Sequence, residues 1–279
     1  MRRRSCLCAQ KKRQPTKSLI SSQHFPNMYI LIDIGNSTVV IAMTDNKGDI
    51  TATWRFKTKK EETASFFRYE LRQGLRKYNV EAADIEKVTI SSVVPEVNDD
   101  IAQAVVDLTG ITPHFFSIAD AEGIITIDVE SPSQLGKDRL ADAIGAARCY
   151  GVPAIVIDFG TATTLGVIDE NGVFKGGMII PGVKTSLSAL SARASQLPSI
   201  TIEKPAHFIG RNTLECMQSG ILYGTAAMID GLIDQLSFTL NATPKIIATG
   251  GMSKTIVPHC KHQITIDPYL LFKGLLPLD

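Results

Sequence analysis

The segments YILIDIGNST, at Tyr29–Thr38, and AIVIDFGTATT, at Ala154–Thr164, decide how this chain folds. Each is a short apolar run that ends in an aspartate and turns through a glycine into small hydroxyl or amide residues. The apolar runs predict buried strands. The glycine lets backbone N–H groups approach an anion closely, and Ser or Thr hydroxyls add further donors. Two such turns indicate a duplicated fold that holds one polyphosphate between its halves.

Asp33 and Asp158 end the two apolar runs and stand 125 residues apart (158 minus 33). A carboxylate at this point can hold a cation against bound phosphates. One such turn would be explained equally well by the preference of strand ends for Asp, Gly, Asn and Thr; its repetition favours phosphate binding. The chain has no G-x-x-x-x-G-K-[ST] and no G-x-G-x-x-G after a strand, which argues against P-loop and dinucleotide folds.

The charge of the chain is unevenly distributed. The whole chain has 29 basic and 28 acidic residues, whereas residues 1–27 carry seven Lys or Arg and no Asp or Glu. The remainder therefore holds 22 basic and 28 acidic residues, a net charge of −6. Such a body argues against nucleic-acid binding. We expect residues 1–27 to be a disordered, dispensable tail or a start-site artefact, with a transit-type peptide and a nucleic-acid tail as alternatives.

The cysteines and the hydropathy indicate the compartment. No run approaches the roughly 18 apolar residues that span a bilayer, so no membrane partner is expected. The five cysteines are odd in number and scattered, which predicts a reducing cytoplasm rather than a disulfide framework. Cys6-x-Cys8 and His259-Cys260-x-His262 lack a second ligand cluster, so chance explains them better than metal binding.

The predicted elements follow the same order twice. The first half reads β-β-β-α-β-α-β, with helices over 61–78 and 95–108. The first of these helices carries Phe67, Leu71, Leu75 and Tyr78 on one face. The second half repeats three strands, a helix over 181–194, a longer helix over 212–240 and the strand KIIAT. On the longer helix, the apolar residues near one face are Met217, Ile221, Ala227, Met228 and Leu232. The joint falls near 136–150, inside a predicted helix. We therefore predict an α/β fold with an N-terminal half at 28–140 and a C-terminal half at 141–279.

Two further motifs each allow a chemical and a structural interpretation. Asp138, in Gly136–Arg139 (GKDR), is either a base for a substrate hydroxyl beside an anion-holding Arg139 or simply an acid in the first turn of a helix. The spacing alone favours neither. The segment TGGMSK, at 249–254, offers a bare backbone surface for an adenine or ribose, or serves tight strand–helix packing.

Taken together, these blocks resemble the type III pantothenate kinases, members of the acetate and sugar kinase/Hsp70/actin superfamily. The resemblance runs from Met28 nearly to the C-terminus. It rests on eight ordered blocks: DIGNS at 33–37, SSVVPEV at 91–97, GKDR at 136–139, DFGTATT at 158–164, GGMIIPG at 176–182, IGRNT at 209–213, MQSGILYG at 217–224 and TGG at 249–251.

This resemblance implies a fold, a reaction and partners. The fold would be two ribonuclease H-like (actin-like ATPase) domains, each a mixed sheet flanked by helices. The reaction would be the ATP-dependent phosphorylation of pantothenate to 4′-phosphopantothenate, the first step of coenzyme A biosynthesis. The implied cofactors are ATP with a divalent metal, Mg²⁺ being expected, and a monovalent cation, K⁺ or NH₄⁺. A homodimer is also implied, whose substrate pocket is completed by the partner subunit.

Individual roles follow from the matching motifs. The resemblance makes Asp138 the general base on the primary hydroxyl and Asp158 the ligand of the monovalent cation. It places ATP against Asp33, Ile34, Gly35, Asn36, Ser37, Thr38, Val39, Val40 and Thr161. It places pantothenate against Val129, Gly136, Lys137, Asp138, Arg139 and Thr213.

Two departures from the family pattern keep alternatives open. Val129 stands where the family often has a substrate-contacting Tyr, and Ser37 stands where Thr is usual. The first departure bears on substrate affinity more than on chemistry, and a kinase for another small hydroxy acid is one alternative. The other is a non-catalytic regulatory relative, like the Bvg accessory factors. The presence of both Asp138 and Asp158 favours an enzyme.

Overall fold

The structure is a computed structural model and describes residues 27–277. The predicted N-terminal tail lies, apart from Asn27, outside the described residues. The first part of the chain forms β1 (Met28–Ile34), β2 (Thr38–Thr44), β3 (Ile50–Lys57), α1 (Ala64–Lys77), β4 (Ile85–Ser92), α2 (Asn98–Thr109) and β5 (His114–Phe115). This is the predicted β-β-β-α-β-α-β order.

After a short strand and a central helix, the second part again begins with three strands, but two helices rather than one precede its fourth strand. It forms β6 (Thr126–Ile127), α3 (Lys137–Tyr150), β7 (Ala154–Phe159), β8 (Ala162–Ile168), β9 (Val173–Pro181), α4 (Val183–Arg193), α5 (Thr213–Leu240), β10 (Lys245–Thr249), α6 (Ser253–Ile256), β11 (Thr265–Ile266) and α7 (Leu270–Leu275). The sequence patterns did not predict β6, β11 or α7, which are two to six residues long.

The two sheets have the same topology. The first has the order β3-β2-β1-β4-β5 and the second β9-β8-β7-β10-β11, with β6 added beside β9. In each repeated set of five, the first three strands are antiparallel, the fourth pairs with the first in parallel, and the fifth pairs with the fourth in parallel. The predicted duplicated α/β fold is confirmed.

The central strands β1 and β7 are buried because both faces of each sheet are covered. Below the first sheet, the α1 residues Phe67, Leu71 and Leu75 are each at most 3% exposed, as their spacing predicted. Between the sheets, Leu31 of β1 and Val156 of β7 belong to one apolar cluster with Ile144 of α3. Helix α3 therefore packs against both sheets.

Close packing at α3 depends on two glycines. A Cβ on Gly145 would overlap the Leu270 carbonyl of α7, and a Cβ on Gly274 would overlap the Ala141 carbonyl of α3. The domain boundary predicted between residues 140 and 141 falls within α3, and β6, which precedes it, pairs with β9. The division at that point remains a prediction.

The long helix α5 turns a slightly different face to the core than its sequence indicated. Its side of closest packing carries Leu222, Ala226, Ile229 and Ile233, each at most 1% exposed. The predicted stripe consisted of Met217, Ile221, Ala227, Met228 and Leu232. Of these, Ala227 and Met228 are exposed, so the buried face is rotated away from them.

Candidate active site

Two loops that follow the central strands meet across the space between the sheets. We call Gly35–Thr38 the first loop and Gly160–Ala162 the second loop. The Gly35 N–H donates to the Thr38 carbonyl at 3.1 Å, and the Gly160 N–H donates to the Ala162 carbonyl at 3.0 Å. The hydroxyl oxygens of Ser37 and Thr161 lie 3.1 Å apart. Residues 124 positions apart in the chain thus present their hydroxyls at one place.

The strand register puts an aspartate at the same point of each sheet. Asp33 of β1 stands beside Ser91 of β4, and Asp158 of β7 stands beside Thr249 of β10. Both carboxylates therefore lie at the carboxyl ends of central parallel strands, which is where ligands bind in open α/β sheets.

Helix α3 brings two further carboxylates to the same region. Asp138 and Asp142 are four residues apart and therefore share one face of the helix. Asp138 Oδ1 accepts a hydrogen bond from the Arg139 N–H at 2.8 Å, which fixes it at the start of the helix. A Cβ on Gly136 would lie 2.5 Å from that oxygen, so the glycine of GKDR leaves room for the aspartate.

Asp33, Asp142 and Asp158 each have a raised pKa. Burial, followed by the charges of Asp138 and Asp158, raises the pKa of Asp33 to about 8. Burial and then Asp138 raise the pKa of Asp158 to about 7. Burial, Asp158, Asp138 and Asp33 hold the pKa of Asp142 well above its usual range. The site therefore favours a bound cation or a retained proton.

A cleft of about 340 Å³ contains three of these carboxylates and the turn after β10. Asp33, Asp142 and Asp158 line it together with Thr249, Gly250 and Gly251. Gly250 has a φ of +84°, and a Cβ there would overlap Asp158 Oδ1. The Gly-Gly turn is therefore packed directly against the second carboxylate, as a bare backbone surface beside the predicted phosphate site.

Arg139 and Val129 lie beside strand β9. The Arg139 guanidinium carbon is 5.9 Å from the centroid of the Phe174 ring, and its Nε is buried without a hydrogen-bond partner among the described residues. Burial lowers the pKa of Arg139, and Asp138 opposes that shift. Val129 is half-buried, and a Cβ on Gly176 would be 3.8 Å from its Cγ1.

Thr213 does not join this group within one chain. It lines a separate cavity of about 700 Å³ between α4 and the start of α5, with Leu187, Arg211 and Cys216, and none of the four aspartates lines that cavity. The predicted pantothenate contacts are therefore split between two places on the monomer. Lys137 stands half-exposed at the start of α3.

Comparison with known proteins identifies the family. Residues 29–235 match the model of the type III pantothenate kinases. The chain belongs to the type III pantothenate kinase family. A type III pantothenate kinase from Halalkalibacterium halodurans is 36% identical over 248 residues, which cover 89% of this chain and 97% of that protein.

Solved structures with the same fold have much lower identity to this family member. The activator of 2-hydroxyisocaproyl-CoA dehydratase from Clostridium difficile, with bound ADPNP, has a TM-score of 0.56 at 12% identity and covers 89% of this chain and 92% of its own. A protein described as a conserved Baf family transcriptional activator from Campylobacter jejuni has a TM-score of 0.52 at 19% identity, with coverages of 88% and 94%. At these identities the likeness establishes the fold alone.

The residues predicted to bind ATP differ in what they can offer. Asn36, Ser37 and Thr161 are exposed, so their side chains are available to a ligand. Ile34 and Val39 are 0% exposed, so only their backbone groups could take part. Val40 lines the cleft beside Asp33.

Sequence reasoning missed Asp142. Its carboxylate is 4% exposed, lines the cleft, and was not among the predicted site residues. The available signal was the four-residue spacing from Asp138, which places both acids on one helix face. That spacing does not reveal which face is turned to the cleft.

The carboxylate oxygens are the hard ligands that Mg²⁺ and K⁺ prefer. Among residues 27–277, no three His, Cys, Asp or Glu side chains converge closely enough to hold a metal ion by themselves. A divalent ion here would complete its shell with phosphate and water, as Mg²⁺ commonly does. In the same part of the chain, no helix is long and apolar enough to cross a membrane.

Proposed function

We propose that the cleft between the two sheets is the active site of this enzyme and that Asp138 is its general base. The overall reaction is that of the family: ATP-dependent phosphorylation of pantothenate to 4′-phosphopantothenate, the first step of coenzyme A biosynthesis. The observation that carries the location is the 3.1 Å approach of the hydroxyls of Ser37 and Thr161, which lie in the loops that follow Asp33 and Asp158.

Phosphoryl transfer requires positioning and charge neutralisation more than covalent chemistry. The two loops supply hydroxyl and backbone donors for a polyphosphate from both sides. A divalent metal bound with ATP would neutralise charge on the transferred group, and the carboxylates that line the cleft would hold it there. Asp138 takes the proton from the attacking hydroxyl, and Arg139 holds the anionic end of the substrate.

The second aspartate is the proposed site of a monovalent cation. Asp158 is packed between the second loop and Gly250, and burial together with Asp138 raises its pKa to about 7. A K⁺ or NH₄⁺ ion would neutralise this carboxylate without the tight geometry that Mg²⁺ demands. ATP binding by the predicted residues 33–40 and Thr161 belongs to the same proposal, with the Gly-Gly turn as the surface for its adenosine.

The position of Thr213 favours the proposal that the enzyme is a homodimer. It lies outside the cleft of its own chain, at the start of α5. Beside it, Phe208 and Ile209 are 70% and 82% exposed, an apolar surface typical of an interface. In the proposed dimer this surface is covered and Thr213 of one protomer completes the pantothenate pocket of its partner. Another small hydroxy acid is the second candidate substrate. Val129 favours this alternative, because it lacks the hydroxyl of the Tyr that the family usually has at this position.

The test is a coupled assay of ADP release with MgATP and pantothenate, in K⁺ or Na⁺, comparing wild type with Asp138→Asn. Removing a general base costs about 10²- to 10⁴-fold in turnover, so we expect a loss of that size with little change in ATP binding. Asp169→Asn is the matched control, because Asp169 caps the turn between β8 and β9. Retained turnover in Asp138→Asn would overturn the assignment of the base, and turnover on other hydroxy acids only would overturn pantothenate.

A further inference from the structure

We propose that Phe174 is a positioning residue, whose ring holds the Arg139 guanidinium in place for an anionic group of the substrates. This inference deepens the proposed function, because it rests on Arg139 binding such a group. It assigns a role to a residue that lies outside the eight motifs that indicated the family.

Arg139 occupies a place that local helix energetics do not explain. It is the third residue of α3, and the dipole of a helix favours anions rather than cations in its first turn. Its side chain is half-buried, and its Nε is buried without a hydrogen-bond acceptor among residues 27–277. A buried donor without an acceptor destabilises a fold. Oxygen atoms of a carboxylate or phosphoryl group are the acceptors that fit a guanidinium best, so this position favours anion binding.

The ring of Phe174 lies against this guanidinium. The Arg139 Cζ is 5.9 Å from the ring centroid, and Phe174 is 0% exposed. The attraction between a cation and the face of an aromatic ring grows as water is excluded. Gly166 of β8 leaves room for the ring, because a Cβ there would lie 3.2 Å from Phe174 Cε2. The ring is therefore closely packed, and a fixed ring limits the positions that the guanidinium can take.

Strand β9 also connects Phe174 with Val129, another of the predicted pantothenate contacts. The Phe174 carbonyl accepts a hydrogen bond at 3.0 Å from the N–H of Asp128, which precedes Val129 in the chain. A Cβ on Gly176, two residues further along β9, would lie 3.8 Å from Val129 Cγ1. Phe174 itself does not line the cleft that contains the carboxylates. A change at Phe174 should therefore act on the pantothenate side of the site and leave ATP binding unaltered.

The experiment replaces Phe174 in the full chain, by genetic incorporation, with phenylalanines that carry one, two or three fluorine atoms. Fluorine withdraws electron density from the ring face and so weakens the attraction for a cation, while the ring keeps nearly its size. The ADP-release assay then gives kcat and the KM values for pantothenate and ATP. We expect the pantothenate KM to rise with each fluorine, to roughly fivefold for the trifluorinated ring, with kcat and the KM for ATP within about twofold of wild type.

The same series distinguishes the two anions that Arg139 can bind. A graded rise in the pantothenate KM supports the positioning role and assigns the anion to the substrate carboxylate. A graded fall in kcat at constant KM supports the same role and assigns the anion to the phosphoryl group in transfer. Fluorination that leaves both constants unchanged overturns the inference, because packing alone does not depend on the charge distribution of the ring.

A double-mutant cycle tests the contact independently. Phe174→Leu removes the ring and should raise the pantothenate KM by roughly 5- to 30-fold. In an Arg139→Gln background, which lacks the cation, the same change should alter that KM by less than about twofold. Equal effects in both backgrounds overturn the inference. If Phe174→Leu does not fold, the fluorinated series decides by itself.

The matched control is Phe67→Leu. Phe67 is 1% exposed and packs below the first sheet, so this change should lower the unfolding temperature and leave both KM values unaltered. Arg139→Gln with wild-type kinetics would overturn the proposed role of Arg139, and absent turnover of pantothenate by wild type would overturn the proposed function together with this inference. Full wild-type turnover with unresponsive Phe174 variants overturns the positioning role alone.

Discussion

The first and second loops begin from nearly the same sequence, yet the rest of the chain holds them differently. The last paired residues are Ile34 with Val39 and Phe159 with Thr163, so the first loop has four residues and the second has three. In the first half, the Thr58 hydroxyl donates to the Gly35 carbonyl at 2.6 Å. The Thr58 N–H also donates to the Ser37 carbonyl at 3.2 Å.

The second loop also accepts two such bonds, but from residues at the start of a helix. The Thr161 carbonyl accepts from the Gly182 N–H at 3.1 Å and from the Thr185 hydroxyl at 2.8 Å, at the start of α4. Gly250 packs against its aspartate from the other side. In the first half, α1 begins only at Ala64, six residues after Thr58. Each loop thus accepts two bonds, from different elements, and Asp158 is in addition packed against the Gly250 turn. We expect this difference to separate the proposed cation site at Asp158 from the proposed phosphate loop after Asp33.

The largest difference should appear in cation dependence. Asp158→Asn should lower turnover about 100-fold and remove the proposed stimulation by K⁺ over Na⁺, because the proposed ion would lose its charged ligand. Asp33→Asn should lower turnover but keep the K⁺ stimulation. The measurement is the ADP-release assay across a KCl series at constant ionic strength. If both variants lose the K⁺ response equally, the assignment of the monovalent cation to Asp158 rather than Asp33 is wrong.

The next effect is on stability as a function of pH. The folded-state pKa values of Asp33 and Asp158, about 8 and about 7, lie above the value of about 4 in an unfolded chain. Between those values the folded protein holds protons that the unfolded chain has released. The free energy of unfolding should therefore fall as pH rises from about 4 to about 8, by on the order of 2 kcal/mol for two partly hydrated groups.

Urea unfolding in cation-free buffer at several pH values checks this trend. Asp158→Asn should make the free energy of unfolding less dependent on pH below about pH 7. Asp33→Asn should make it less dependent on pH up to about pH 8. Added Mg²⁺ should stabilise wild type more at pH 8 than at pH 5. A free energy of unfolding that rises through this window would contradict the raised pKa values.

Substitutions of Gly35 and Gly250 compare the packing of the turn that follows Asp33 with that of the turn packed against Asp158. Gly250→Ala should cost about 2 kcal/mol of stability, since φ is +84° and the new Cβ would overlap Asp158 Oδ1. At Gly35, a Cβ would lie 3.3 Å from the Thr38 carbonyl, so Gly35→Ala should cost less than half as much. Thermal unfolding of both variants gives the comparison. Equal losses would mean that the two turns are packed alike.

The smallest effect is the direct contact between the loops. Ser37→Ala and Thr161→Val each remove one hydroxyl of the 3.1 Å pair, which is exposed. Their coupling energy for stability should be about 0.5–1 kcal/mol in a double-mutant cycle. Their coupling for ATP affinity should exceed this, because both hydroxyls are expected to face the phosphates. Zero coupling in both measurements would mean that the loops do not act on a common ligand.

The sequence by itself determined the repeated halves and their main elements. Alternating and continuous apolar runs, the two Asp-x-Gly turns and the helical spacing of Phe67, Leu71 and Leu75 depend on neighbours a few residues apart, so they can be read locally. The family also followed from ordered motifs. Short elements such as β6 and β11 could not be predicted, because two-residue strands form only where a longer strand offers an open edge.

Only the tertiary structure decided which of these side chains meet. The packing of both sheets around α3 turns Asp142 into the cleft and sets the Ser37 hydroxyl against that of Thr161. The same packing leaves Thr213 in a different cavity, although a motif assigned it to the same substrate. Such proximities join residues as many as 124 positions apart, and their geometry depends on how two sheets and one helix pack together rather than on any local pattern.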